Sequence, residues 1–162
     1  MIINLAQPDK PNHYRKTNID HVFTRGLESQ VRWPMPLGFH GALGYTYLKA
    51  HDVKRDERLL GRPNHMANLG LSWSDGPGGK WWAMFYLKWI DCIPQLDKDD
   101  NLIYQKSYTL SRLSLGRRIF GRLDMTVGVE NLLDSVDREF RVDQGRRFFI
   151  KVDLSSNTRK LW

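Results

Sequence analysis

Hydrophobic and polar residues alternate along most of this chain, in short stretches set apart by turns and loops. The clearest stretch is RLDMTVGVEN at residues 122–131, with Leu123, Met125, Val127 and Val129 on one face and Asp124, Thr126, Gly128 and Glu130 on the other. A period of two marks a β-strand with unlike faces. RRFFIKVDL at 146–154 repeats it, with Phe148, Ile150, Val152 and Leu154 against Arg147, Phe149, Lys151 and Asp153. Upstream, the same pattern predicts strands at 1–6, about 19–33, 38–50, 65–73, 80–90 and roughly 107–119. In 19–33, Phe23, Leu27, Val31 and Trp33 oppose Gly26, Glu28, Gln30 and Arg32; in 107–119, Leu113, Leu115 and Ile119 oppose Arg112 and Ser114.

The connections carry a second regularity. Residues 7–18, 51–64, 91–105 and 131–145 read as long polar loops, whereas WPMPLG (33–38), SDGPGG (74–79) and IFGR (119–122) read as tight turns, and the two kinds alternate strictly. A soluble sandwich or barrel also has one apolar face per strand, but nothing in it requires long and short connections to alternate. A transmembrane barrel requires both, because backbone groups in lipid pair between strands, the outer face is apolar, and short turns and long loops lie on opposite sides. The expectation is therefore an all-β fold, an antiparallel meander of about eight strands forming part of a transmembrane β-barrel. Strands of roughly 9 to 13 residues suit a tilted crossing. Trp33, Phe39, Trp73, Trp81 and Trp89, near strand ends, suit interfacial girdles.

Composition narrows this picture without changing it. The 162 residues fit one domain. A formal net charge of +7 fits nucleic acid, lipid headgroups or an anionic ligand; membrane-crossing strands favour the last two, and no nucleic-acid partner is expected. Cys92, the single cysteine, excludes an internal disulfide. No run approaches the roughly 20 apolar residues of a membrane helix. The first residues, MIINLAQPDKP, lack the apolar core of a secretory signal, so an exported form is expected to be a mature chain or a piece of a longer one.

Candidate chemistry is sparse. Asp97, Asp99 and Asn101 have the spacing that opens a calcium loop, but Leu102 stands where glycine is required and Tyr108 where the closing acid belongs. His13, His21, His40, His51 and His65 are scattered, and no metal or cofactor is expected. No nucleophile motif or glycine-rich phosphate loop appears, which argues against an enzyme. Asn131 and Asp134, flanking two leucines at a strand end, suit a turn closed by side-chain bonds to backbone. Gly145 and Arg146 are expected to open the last strand, with glycine for an unusual backbone angle and arginine for water or a headgroup.

Four segments in this order, TNIDHVFTRGLESQVRW (17–33), GRPNHMANLGLSW (61–73), VENLLD (129–134) and GRRFF (145–149), resemble the closing part of TonB-dependent receptors. Such receptors are outer-membrane barrels of about 22 strands with a plugged lumen, taking up iron chelates, cobalamin or glycans with energy passed on by TonB. The resemblance implies that residues 1–162 are the C-terminal portion of such a barrel, without its plug, in the outer membrane of a Gram-negative bacterium and not competent to transport alone. Implied partners are outer-membrane lipid, the missing strands and plug, and the barrel assembly machinery, which would read the C-terminal aromatic Trp162; SSNTRK (155–160) breaks the family's alternation before it. Glu28, Gln30, Arg112, Asp124 and Glu130 become candidates for a lumen face that meets ligand or plug. Two alternatives stand beside this reading: a complete small eight-stranded outer-membrane structural barrel, and a soluble β-barrel that binds a small apolar ligand.

Overall fold

The computed structural model describes residues 2–6, 14–18, 21–53, 56–97, 99, 101–137 and 145–154. In chain order the strands are β1 (Ile2–Ala6), β2 (Tyr14–Asn18), β3 (Val22–Pro34), β4 (Phe39–Asp52), β5 (Glu57–Arg58), β6 (His65–Ser74), β7 (Trp81–Ile90), β8 (Ile93–Leu96), β9 (Leu102–Gln105), β10 (Tyr108–Ile119), β11 (Leu123–Glu130) and β12 (Arg147–Leu154). The main sheet has the order β12-β11-β10-β7-β6-β4-β3, with β5 on β4, while β1-β2 and β8-β9 are separate two-stranded sheets. Each long strand thus lies beside the next one in the chain, the all-β meander that the alternation predicts.

The chain forms two compact units. The first comprises Met1–Glu28, Thr46–Met66 and Ile90–Ser107. It holds the long connections after β4 and β7, and here the structure corrects the sequence reading. The segment 91–105 is a β-hairpin rather than a plain loop, with Ile93 opposite Gln105 and Leu96 opposite Leu102. Within 51–64, β5 pairs back onto β4, Arg58 opposite His51. Within 7–18, residues 14–18 are a strand paired with β1, Asn18 opposite Ile2. These strands of two to five residues are too short for a period of two to stand out, and Pro94 and the nearby charges mimic loop composition. Leu59 packs on Ala50, both buried, and its N–H bonds the Ala50 carbonyl at 3.0 Å. The Gly61 N–H donates to the carbonyl of the fully buried Pro94 at 2.8 Å.

The second unit comprises Ser29–Tyr45, Ala67–Trp89 and Tyr108–Trp162, and it contains the tight turns. Trp73 Nε1 donates to the Leu37 carbonyl at 3.0 Å, and its ring lies 6.2 Å from that of Phe39. This ties the turn after β3 to the end of β6. Asp75 accepts from the backbone N–H groups of Lys80 and Trp81, both at 3.1 Å, closing the turn before β7. Between β10, β11 and β12 the antiparallel register runs without a break, Ile119 opposite Leu123 opposite Leu154 at one end and Arg112 opposite Glu130 opposite Arg147 at the other.

That register sorts the side chains into two unlike surfaces. One carries the rows Leu113–Val129–Phe148, Leu115–Val127–Ile150, Arg117–Met125–Val152 and Ile119–Leu123–Leu154. It is largely uncovered: Val127 is 47% exposed, Ile150 73% and Phe148 82%. Phe23, Leu27 and Val31 of β3 are exposed as well. Among the described residues the buried apolar side chains are few: Ala50, Leu59, Ile90, Pro94 and Val129. A water-soluble sandwich covers such a face with a second layer, and exposed apolar area on this scale marks a surface meant for something other than water. Among the described residues no helix is long and apolar enough to cross a membrane.

Candidate functional site on the polar face of the sheet

The opposite surface of the same strands carries the rows Arg112–Glu130–Arg147, Ser114–Gly128–Phe149, Gly116–Thr126–Lys151 and Arg118–Asp124–Asp153. Charges of opposite sign meet within these rows and, along β12, between neighbouring ones. Glu130 is shared between two guanidinium groups, paired with Arg112 on one side and with Arg147 at 3.1 Å on the other. Arg118 grips Asp124 with two bonds, Nε at 2.8 Å and an η-nitrogen at 3.2 Å. Lys151 pairs with Asp153 at 2.9 Å. These pairs are partly exposed, where solvent screens each of them and leaves little net stabilisation. Their larger effect is to fix which face is wet, since the same charges in hydrocarbon would cost several kcal/mol apiece.

Aromatic rings lie across this charged face, and two glycines make room for them. A Cβ on Gly116 would sit inside the Trp82 indole, and one on Gly128 would meet the Phe149 ring and the Leu113 carbonyl. The bare backbone lets each ring lie flat over the neighbouring strand. The Arg112 guanidinium stands 5.5 Å from the Phe149 ring centre, a cation–π contact. Together Trp82, Tyr86, Arg112, Glu130, Phe149 and Lys151 line a concavity of about 780 Å³. Hydrogen-bonding forks beside flat rings suit the binding of a polar or anionic surface. The site holds no nucleophile–base pair, and among the described residues no group of three His, Cys, Asp or Glu side chains could hold a metal ion.

Of the residues proposed from sequence for a lumen face, Arg112, Asp124 and Glu130 lie on this surface and line the concavity. Gln30 is on β3, at the other end of the strand order, where its Oε1 accepts from Arg32 at 3.2 Å. Glu28 belongs to the first unit. Arg147 and Phe149 complete the cluster. Their alternation was visible in the sequence, but their partners across β11 depend on register, which no local pattern carries.

Asn131 and Asp134 belong to a turn at the end of β11, and Asp134 ties that turn to the backbone of Arg146, beside Gly145. Asn131 is 2% exposed and left-handed, with φ 52°. Its Oδ1 accepts from the Ser135 N–H at 2.9 Å, and its Nδ2 donates to the Ser135 carbonyl at 3.1 Å. The buried Ser111 of β10 receives this turn, its Oγ accepting from the Leu133 N–H at 3.0 Å. Asp134 Oδ1 accepts from the Arg146 N–H at 3.1 Å, beside Gly145 at φ 89°. Arg146 thus enters through its backbone. Trp162 lies outside the described residues.

The acidic trio Asp97, Asp99 and Asn101 closes the β8-β9 hairpin. Asp97 Oδ1 accepts from the N–H groups of Asp99 and Asn101, each at 2.8 Å, and Oδ2 from the Asn101 side chain at 3.1 Å. The bonds from Asn101, backbone first and side chain second, hold the Asp97 carboxyl below the usual carboxylate range.

A two-faced meander with alternating connections is a barrel-wall pattern, and comparison with known families agrees. Residues 1–132 match the model of the TonB dependent receptor-like β-barrel family. The chain belongs to that family. Its members are outer-membrane receptors of Gram-negative bacteria, and the family implies a plug domain. Among solved structures, the chain is similar to P. aeruginosa FpvA in a complex with iron and a heterologous pyoverdine, at a TM-score of 0.66 and 17% identity. The match covers 95% of this chain and 23% of that one, so the chain spans about a quarter of that receptor's length. At this identity the likeness speaks for the fold. Comparison with curated protein sequences finds no match.

Proposed function

We propose that this chain is a wall segment of a TonB-dependent outer-membrane receptor, the C-terminal portion of its barrel. Its apolar rows face lipid and its charged, aromatic face lines the interior. The parent receptor takes up a scarce ligand, an iron chelate, cobalamin or a glycan, and this segment does not transport alone. The register of β10, β11 and β12 is the observation that carries the reading, because it puts apolar side chains and Arg117 on one surface and the ion-pair ladder on the other. In this reading Arg112, Asp124 and Glu130, with Arg147 and Phe149, meet the plug or the passing ligand. Gln30 and Glu28 are assigned to the same interior. β3 and β12, the ends of the strand order, pair with the remaining strands, since an open edge templates association. Recognition of Trp162 by the barrel assembly machinery belongs to the same proposal.

Two measurements test it. The chain aggregates in plain buffer and becomes strand-rich in micelles only by pairing its open edges with further copies; a heat-modifiable monomer in micelles favours a complete small barrel instead, and a monomeric strand spectrum in buffer overturns the membrane reading. Cells producing only this chain accumulate no more labelled ferric chelate, cobalamin or glycan than cells without it. Uptake above that background overturns the wall-segment reading.

A further inference from the structure

We propose that Arg117 and Trp81 form a binding site for the phosphate of a phospholipid headgroup, at the short-turn edge of the lipid-facing surface; the inference rests on the membrane reading above. The register places Arg117 on the apolar surface, between Met125 with Val152 beyond it and the apolar rows on either side. It is the one charged residue in those four rows. A cation there needs a reason, because the lipid side of a barrel tolerates arginine only close to the headgroups.

The geometry supplies that reason. The Arg117 guanidinium lies 4.7 Å from the Trp81 ring centre, held over an indole at the start of β7. Trp81 is itself fixed, since Asp75 accepts its backbone N–H and that of Lys80. Nearby carboxylates are engaged elsewhere: Asp75 caps those two amides, and Asp124 pairs with Arg118 on the opposite face. Among the described residues Arg117 forms no salt bridge, so its donors remain for an anion.

Position selects the kind of anion. Arg117 stands two residues from the turn row of Ile119 and Leu123, about 7 Å along the strand and about 5 Å in depth once a barrel tilt is allowed for. An arginine at that depth lays its stem along apolar neighbours and raises its head to the phosphate level. Phe120, in the adjoining turn, is 95% exposed, an apolar flank for the acyl boundary beside the headgroup. Indole and guanidinium together match an interface rather than bulk water or hydrocarbon. Short turns lie on the periplasmic side, which assigns the site to the phospholipid of that leaflet.

The test folds the full 162-residue chain and its R117Q and R117K variants in lysophosphatidylglycerol micelles and, separately, in dodecyl maltoside, which has no phosphate. The folded fraction is read from heat-modifiable mobility across a urea series. The proposal expects R117Q to lower the folding equilibrium about fivefold in the phospholipid micelle and to leave it unchanged in maltoside, with R117K close to the parent. Added inorganic phosphate leaves the maltoside result unchanged if the partner is a headgroup; a shift there assigns the site to free phosphate instead and overturns the lipid assignment. An equal loss in both micelles makes Arg117 a packing residue and overturns the proposal, as does no loss in either. A monomeric, strand-rich parent chain in plain buffer overturns the membrane reading and this inference with it.

Discussion

Replacing Val127 with lysine separates a lipid-facing sheet from a water-facing one. Val127 sits between Leu115 and Ile150, four residues from the turn row at Leu123, or about 14 Å along the strand at roughly 3.4 Å per residue. A tilt of about 40° brings that to about 10 Å of depth, near the middle of an apolar band about 25 Å tall. A lysine at that level costs about 2–4 kcal/mol. In water the same change at a 47% exposed position falls within about 0.5 kcal/mol. The control is Thr126→Glu, one residue along on the opposite face, where the new carboxylate meets Lys151 across the strand pair. It is expected to be neutral or favourable by a few tenths of a kcal/mol. The assay is a urea titration of both variants in phosphatidylcholine vesicles, read by heat-modifiable mobility. A cost below about 0.5 kcal/mol for V127K, or an equal cost for T126E, would refute the assignment of faces.

Other parts of the structure give independent expectations. Asn131→Ala removes two side-chain bonds and the tolerance of asparagine for the left-handed angle, φ 52°, for a loss of about 2–4 kcal/mol; Asn131→Gly suits that angle and loses less, as urea midpoints in micelles will show. Gly116→Ala forces a methyl into the Trp82 ring and costs about 1–3 kcal/mol, most of which disappears in a Trp82→Ala background when the cycle is closed. The Asp97 carboxyl is held below its ordinary value by Asn101, so its contribution to the β8-β9 turn is complete above the ordinary carboxylate range. It is lost as the pH falls through the depressed value. Hydrogen exchange at the Asn101 amide, corrected for intrinsic rate, should therefore accelerate only in strong acid, and a constant protection factor throughout would contradict the bond.

Much of this fold is written in local pattern, and the residues show where local pattern stops. β11 and β12 are legible because each apolar side chain has a polar neighbour on both sides, a contrast that survives only when one face meets water and the other does not. β8 and β9 were missed because four residues give two members per face, too few to establish a period. At the polar face, residue types were legible and partnerships were not: nothing near Glu130 says that Arg112 and Arg147 will share it, since those meetings arise from register over distant segments. Asn131 is a similar case. Its suitability for a turn followed from its chemistry, whereas Ser135 and Ser111 as its receivers followed only from the paired strands. The Arg117–Trp81 contact left a trace in the sequence, a cation breaking the apolar run of Leu113, Leu115 and Ile119, but its stacking partner lies on β7.

The most direct measurement of the central claim is a cysteine scan along β11 in a Cys92→Ser chain folded into vesicles. Each position from 123 to 130 is labelled in turn with an environment-sensitive fluorophore and challenged with a quencher carried on the acyl chains and with aqueous iodide. The account predicts alternation: positions 125, 127 and 129 quenched from the lipid, and positions 124, 126, 128 and 130 quenched from the water. Iodide quenching at every position, or quenching without a period of two, would contradict it.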